Sequence, residues 1–245
     1  MENVCNQLSK LVHEMPKELL CVIDSVYLYG SMARGDAFNG SDCDLLIVVN
    51  DCSEEVYNKI KKATSLWNSN LMLEVAIYQM SLLKKMQEIG SLFLWHIKLE
   101  AKKVYSNGDH FTELLSNLAD YSNSGAAITE YREIMNDIIN DNADDADVIA
   151  YNLSIMATLI RNTCIICCSL IGNKQFGRVL PVVICRAYFQ EQFPINIEDY
   201  EEMYMYRIAI NRGGKLPKQL DLINYYNDWK NKTDALINLA ITLME

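Results

Sequence analysis

Near the start of the chain, Val4, Leu8, Leu11 and Val12 recur at close to helical spacing, which predicts a short amphipathic helix from about Glu2 to Glu14, ending before Pro16. Ser25 to Tyr29 is short, β-branched and aromatic and runs into Gly30-Ser31, so it reads as a strand closing in a tight turn. Apart from Asp44, Cys43 to Val49 is apolar throughout, as expected of a strand covered on both faces. Val56, Ile60, Ala63 and Trp67 follow at intervals of 4, 3 and 4, marking a helix that packs on the sheet. A third strand is expected over Leu71 to Tyr78. Strand, helical turn, strand, helix, strand is the order of a unit that mixes α and β rather than of a bundle.

The character changes from Ser91 onward. Leu92, Trp95 and Leu99 suggest a helix, and beyond about Asn107 the segments are long, poor in glycine and periodic at helical spacing. The last is the clearest, with Leu222, Tyr226, Trp229, Thr233, Leu236, Ala240 and Leu243 alternating by 4 and 3. Ser106-Asn107-Gly108-Asp109 forms a turn with an N-cap candidate. The expected division is therefore 1–106, an α+β domain built on a small mixed sheet with flanking helices, and 107–245, an all-α bundle. No internal repeat or low-complexity tract interrupts either part.

Composition narrows the function. The 245 residues are 50% hydrophobic and 22% charged, with a net charge of −10, ordinary for a folded chain with a sizeable core. That charge argues against broad binding to polyanions, which needs clustered cations, and no extended nucleic-acid surface is evident. It favours a cationic partner such as an amine-rich small molecule. The eight cysteines sit mostly in apolar runs, the pattern of reduced, buried thiols. Cys164 and Cys167 form a CxxC, but no second pair completes a zinc site, and core packing is the favoured reading. There is no leader-like N-terminus and no uncharged apolar stretch of ~18 residues. A cytoplasmic protein without membrane partners is expected.

The chemistry concentrates in Tyr29-Gly30-Ser31-Met32-Ala33-Arg34-Gly35-Asp36-Ala37-Phe38-Asn39-Gly40-Ser41-Asp42-Cys43-Asp44-Leu45. Gly30 and Ser31 end a strand and open a helical turn, where free backbone N–H groups and a hydroxyl can hold phosphate oxygens. Asp42 and Asp44 are two apart, so a strand's period of 2 puts both carboxylates on one face, with Leu46 and Val48. Like charges so placed repel unless a cation lies between them. Glu74 is the third candidate, sharing a face with Met72, Ala76 and Tyr78. An unpaired acid buried in an apolar strand is costly and needs a partner, and a neighbouring Asp42–Asp44 strand would give three oxygen donors suited to Mg²⁺. The bland reading of Glu74 is a salt-bridged or edge-strand carboxylate.

Gly-Ser, ten residues, then Asp-x-Asp on a strand, with a later acid on another strand, resembles the signature of the polymerase β-like nucleotidyltransferase superfamily. The likeness spans about Ser25 to Tyr78. It is greatest to bacterial small nucleotidyltransferases, the kanamycin-type aminoglycoside enzymes and the minimal nucleotidyltransferases; the helical half is similar to the aminoglycoside group's second domain in kind and size. The resemblance implies that Gly30 and Ser31 bind the β- and γ-phosphates of a nucleoside triphosphate, ATP by expectation. It implies that Asp42 and Asp44 bridge two Mg²⁺ ions and that Glu74 holds the ion activating the attacking hydroxyl. The implied reaction transfers a nucleoside monophosphate to an acceptor and releases pyrophosphate. A small molecule such as an aminoglycoside is the favoured acceptor; the alternatives are a protein or tRNA, as in toxin–antitoxin or defence systems, or a noncatalytic nucleotide-binding protein on the same fold.

Other residues carry weaker signals. Arg34 could contact a triphosphate or face solvent. His96 lies on the stripe of Leu92 and Leu99 and reads as a core or interface histidine rather than a general base; His13 and His110 have no supporting context. Asp137, Asp141, Asp144, Asp145 and Asp147 read as a solvated helix connection, with an acceptor-binding or general-base role as the alternative. Arg207, Arg212, Lys215 and Lys218 near Gly213-Gly214 read as a charged helix end with a glycine stop or as a clamp on a triphosphate. The apolar helical half could also pair two copies of the chain.

Overall fold

The computed structural model describes residues 2–37, 41–67, 72–140 and 144–245. Contacts divide the chain into two units, Met1–Ser122 and Asn123–Glu245. The front unit contains α1 (Glu2–His13), α2 (Lys17–Leu20), β1 (Ile23–Tyr29), α3 (Gly30–Arg34), β2 (Cys43–Val49), α4 (Glu54–Ser65), β3 (Leu73–Gln79), α5 (Met80–Glu88), α6 (Leu92–Glu100), β4 (Lys102–Ser106) and α7 (His110–Ser116). Its four strands lie in the order β3-β2-β1-β4. β1 runs antiparallel to β2 and β4, and β2 parallel to β3, so α4 is the crossover that a parallel pair requires. The small mixed sheet with flanking helices is the architecture expected.

Strand alternation divides the side chains between two cores. Leu45, Ile47 and Val49 of β2 face Leu8, Val12 and Ile60 from α1 and α4. Leu46 and Val48 face Leu83, Leu94 and Phe111 from α5, α6 and α7. The sheet is thus the middle layer, and its central strands are apolar on both sides because both sides are covered. Ser53 caps α4 by accepting from Val56 N–H, and Glu54 and Glu55 occupy its first turn, the charge favoured at a helix start. Buried Asp24 ties α7 down: its carboxylate accepts from Phe111 N–H at 3.3 Å, lies 3.1 Å from His110 Nδ1, and accepts from Ser25 Oγ at 3.0 Å.

Three boundaries differ from the sequence reading. β1 begins at Ile23 and β3 ends at Gln79; Leu71 lies outside the described residues. β4 was not expected. It is an edge strand carrying Lys102 and Lys103, too short and polar to show a period but placed by pairing with β1. The division falls at 122/123 rather than 106/107 because Phe111, Leu114 and Leu115 of α7 bury themselves in the front unit's second core.

The second unit is all helical: α8 (Ser124–Asn140), α9 (Ala146–Leu170), α10 (Leu180–Phe189), a 3-10 turn at Gln190–Gln192, α11 (Ile197–Arg212) and α12 (Leu222–Met244). α9 is its axis, packed by α8, α10, α11 and α12. By length and apolarity α9 could cross a membrane, but 67% of its most apolar window is buried, the environment of a core helix. Cys164, Cys167 and Cys168 lie in that buried length beside Cys185 of α10. Asp145 of the acidic run is the α9 N-cap, accepting from Asp147 and Val148 N–H; Asp141 lies outside the described residues. Asn152 donates to the Tyr226 hydroxyl at 2.9 Å and Tyr226 donates to the Ile138 carbonyl at 3.4 Å, linking α9, α12 and α8. Gly213 ends α11 in a left-handed conformation just after Arg212, and Arg207 donates to Thr158 Oγ1, which ties it to α9.

Candidate active site

Gly30 and Ser31 open α3 directly after β1, where the first backbone N–H groups of a helical turn have no partner within the turn. Gly30 is buried with φ +71°, and the chain comes so close to β2 that a β-carbon at residue 30 would collide with Asp44 Oδ2 and stand 3.0 Å from its Cγ. Glycine is required twice over, for left-handed backbone and for space.

Register brings the acids together. Tyr29 pairs with Asp44 across β1 and β2, and Asp44 pairs with Glu74 across β2 and β3. By alternation all three share the face of Leu46 and Val48. The three side chains thus stand in register on three adjacent strands, each strand about 4.8 Å from the next. Burial, then Asp44 and Glu74, push the Tyr29 phenol above its ordinary range. Burial, then Asp44 and Cys5, push the Cys43 thiol up to about 11. Glu74 is exposed on an edge strand, so the desolvation argument for a partner does not apply to it; its place beside Asp44 is what matters.

Asp42 stands one residue before β2 and is half-buried. Among the described residues, no three His, Cys, Asp or Glu side chains gather at metal-holding spacing. The donor chemistry of Asp42, Asp44 and Glu74 fits a hard divalent cation, and the adjacent, like-charged Asp44 and Glu74 are the pair that would gain from one.

Arg34 is neither solvent-facing nor free. Its Nη1 lies 3.0 Å from Glu100 Oε2 and 3.3 Å from His96 Nε2, and its Nε lies 3.1 Å from Asp36 Oδ2. His96 Nε2 is 3.1 Å from the same Glu100 oxygen, and its ring meets Tyr29 edge-on at 5.7 Å. Buried Leu94 and Ile97, not the half-exposed Leu99, make the inner stripe of α6. Sequence reasoning singled out Arg34 and His96 separately and missed Tyr29 and Glu100. The i,i+4 spacing of His96 and Glu100 was the available signal. A cleft of about 390 Å³ lined by Asn50, Asp51, Lys84, His110 and Glu113 lies at the other end of β2 and includes no motif residue.

The family profile described as polymerase beta, nucleotidyltransferase matches residues 10–110, which span the whole of this arrangement. Over those residues the chain matches the polymerase β nucleotidyltransferase family. The chain is similar to the solved spectinomycin adenyltransferase from Enterococcus faecialis, determined with ATP and spectinomycin. The likeness covers 95% of this chain and 98% of that one, with TM-score 0.54 and 15% identity. At that identity it speaks for the fold, through the helical unit as well as the sheet. A toxin–antitoxin structure with AMP-PNP, covered over 98% of its length by 55% of this chain at 17% identity, has a TM-score of 0.30 and carries no argument. No curated protein matches the sequence.

Proposed function

We propose that the chain transfers a nucleoside monophosphate, AMP from ATP, to a hydroxyl of a small, amine-rich acceptor and releases pyrophosphate. One observation carries the reading: Asp44 and Glu74 stand side by side on one sheet face, with the Gly30 backbone pressed against Asp44. Gly30 and Ser31 would seat the terminal phosphates at the start of α3, and Asp42, Asp44 and Glu74 would hold two Mg²⁺ ions. Such ions supply charge neutralisation for the attacking and leaving oxygens. The acceptor oxygen attacks the α-phosphorus as its proton leaves, the bond to the bridging oxygen breaks, and pyrophosphate departs with that electron pair. The chain's own contribution is positioning, since no covalent intermediate on the protein is needed. The small-molecule acceptor is supported by the net charge of −10, which disfavours nucleic acid and suits a polycation. A cytoplasmic setting goes with that reading.

The test is incubation with α-labelled ATP, Mg²⁺ and cell extract, followed by separation of small molecules, protein and RNA. Label in a small-molecule fraction, absent with Asp42→Ala/Asp44→Ala, is expected. Label confined to protein or RNA ends the small-molecule reading, and Mg²⁺-independent ATP binding equal in wild type and the double variant ends the two-metal one.

A further inference from the structure

We propose that Arg34 is a positioning residue: through Glu100 and His96 of α6 it holds the α3 turn, and with it Ser31, against the sheet. The consequence for nucleotide binding rests on the function proposed above; the hold on α3 does not.

α3 has only five residues and no side-chain cap at Tyr29, far too little for a helix to persist unaided. It begins at Gly30, φ +71°, and is followed by Gly35, φ +88°, left-handed conformations that glycine adopts without strain but that no regular helix continues through. Its only deeply buried residues are Gly30 and Ala33. Arg34, its last residue, makes the charged link to another helix.

The two carboxylates on Arg34 are not equivalent. Asp36 is on the same loop and 52% exposed, whereas Arg34 and Glu100 side chains are 19% and 13% exposed. An exposed local pair contributes little; a pair largely shielded from solvent and spanning 66 positions of sequence fixes where one element lies on another. Glu100 is itself held: burial pushes its carboxyl up, but hydrogen bonds from His96 and Arg34 outweigh this and keep it below its ordinary range. His96 then closes a circuit, because it packs on Tyr29, the residue preceding α3 and paired with Asp44. The network therefore starts at the end of α3 and returns to its beginning, bracketing Ser31. With Nε on Asp36 and Nη1 on Glu100, Arg34 is placed to act on α3 through Glu100.

The test uses the full chain with Arg34→Met, Arg34→Lys and the isosteric Glu100→Gln. The Gly35 and Asp36 N–H groups both donate to Ser31 C=O, at 2.9 and 3.2 Å, so their hydrogen exchange reports on the turn. Arg34→Met and Glu100→Gln should speed exchange there about tenfold, leave β1 and β2 protected, and weaken Mg·ATP binding by calorimetry about tenfold. Arg34→Lys should fall between, keeping the charge without the fork. Unchanged exchange at Gly35 and Asp36 in Glu100→Gln overturns the positioning role. Faster exchange with unaltered Mg·ATP affinity overturns the link from α3 to the nucleotide. Wild type that binds no Mg·ATP removes the nucleotidyl-transfer reading, while the exchange rates still decide what Arg34 does.

Discussion

The Gly30 backbone and the Asp44 carboxylate are in such close contact that no other residue fits at position 30 while Asp44 keeps its place. The contact arises because antiparallel pairing sets Tyr29 opposite Asp44 and the chain then turns through left-handed Gly30. Gly30→Ala should lower stability and abolish nucleotide binding. With Asp44→Ala as background the two closest clashes are gone and the Cβ of residue 44 stands at 3.4 Å, ordinary contact, leaving the left-handed backbone cost of about 1–2 kcal/mol. Urea denaturation of the four proteins in the cycle should show coupling of about 1 kcal/mol or more; additive effects would refute the contact.

Asp44 and Glu74 are like charges in adjacent register. Glu74→Gln should raise the melting temperature in the presence of a chelator, relieving about 0.2–1 kcal/mol of cross-strand repulsion. Mg²⁺ should raise the melting temperature of wild type more than that of the variant, since a bound cation stabilises by mass action. An equal Mg²⁺ response in both would count against the pair as a cation site.

Glu100 has its pKa held below the ordinary 4.5 in the fold. The folded state therefore favours the charged form, so this stabilisation is fully present above about pH 4.5 and is lost as pH falls through the lower folded value. Glu100→Gln should lower stability at neutral pH, where this stabilisation is fully present, and flatten the acid limb below 4.5, so that the two stability–pH curves converge in acid. A parallel acid limb in wild type and variant would contradict this.

Thiol reactivity should divide by burial. Cys21 is exposed, whereas Cys164, Cys167, Cys168 and Cys185 are buried, and burial pushes the Cys164 thiol up, away from the reactive thiolate. A chromogenic disulfide reagent should label Cys21 first and reach the α9 and α10 thiols only in denaturant. Fast labelling of Cys164 in the native protein would contradict that packing.

The sequence made some of this legible for definite reasons. The alternation of Asp44, Leu46 and Val48 against Leu45, Ile47 and Val49 allows one arrangement of faces, and the cores follow it. The 4-and-3 spacing of Tyr226, Trp229, Thr233, Leu236 and Ala240 likewise marks the side of α12 that is buried. β4 was not legible, because Lys102 to Ser106 has no pattern until β1 pairs with it. Asp145 looked like part of an acidic run and is a helix cap, a role set by where the backbone turns.

What the residue order determined by itself is local: Gly-Ser at a strand end, two acids two apart, and the side of the strand on which each lies. A period of 2 assigns a face but names no neighbour. That Glu74 stands beside Asp44, that Tyr29 stands on its other side, and that Arg34 reaches Glu100 66 positions away were decided by strand order, register and helix packing. These depend on the free energy of non-local burial and pairing, which no short window of sequence contains.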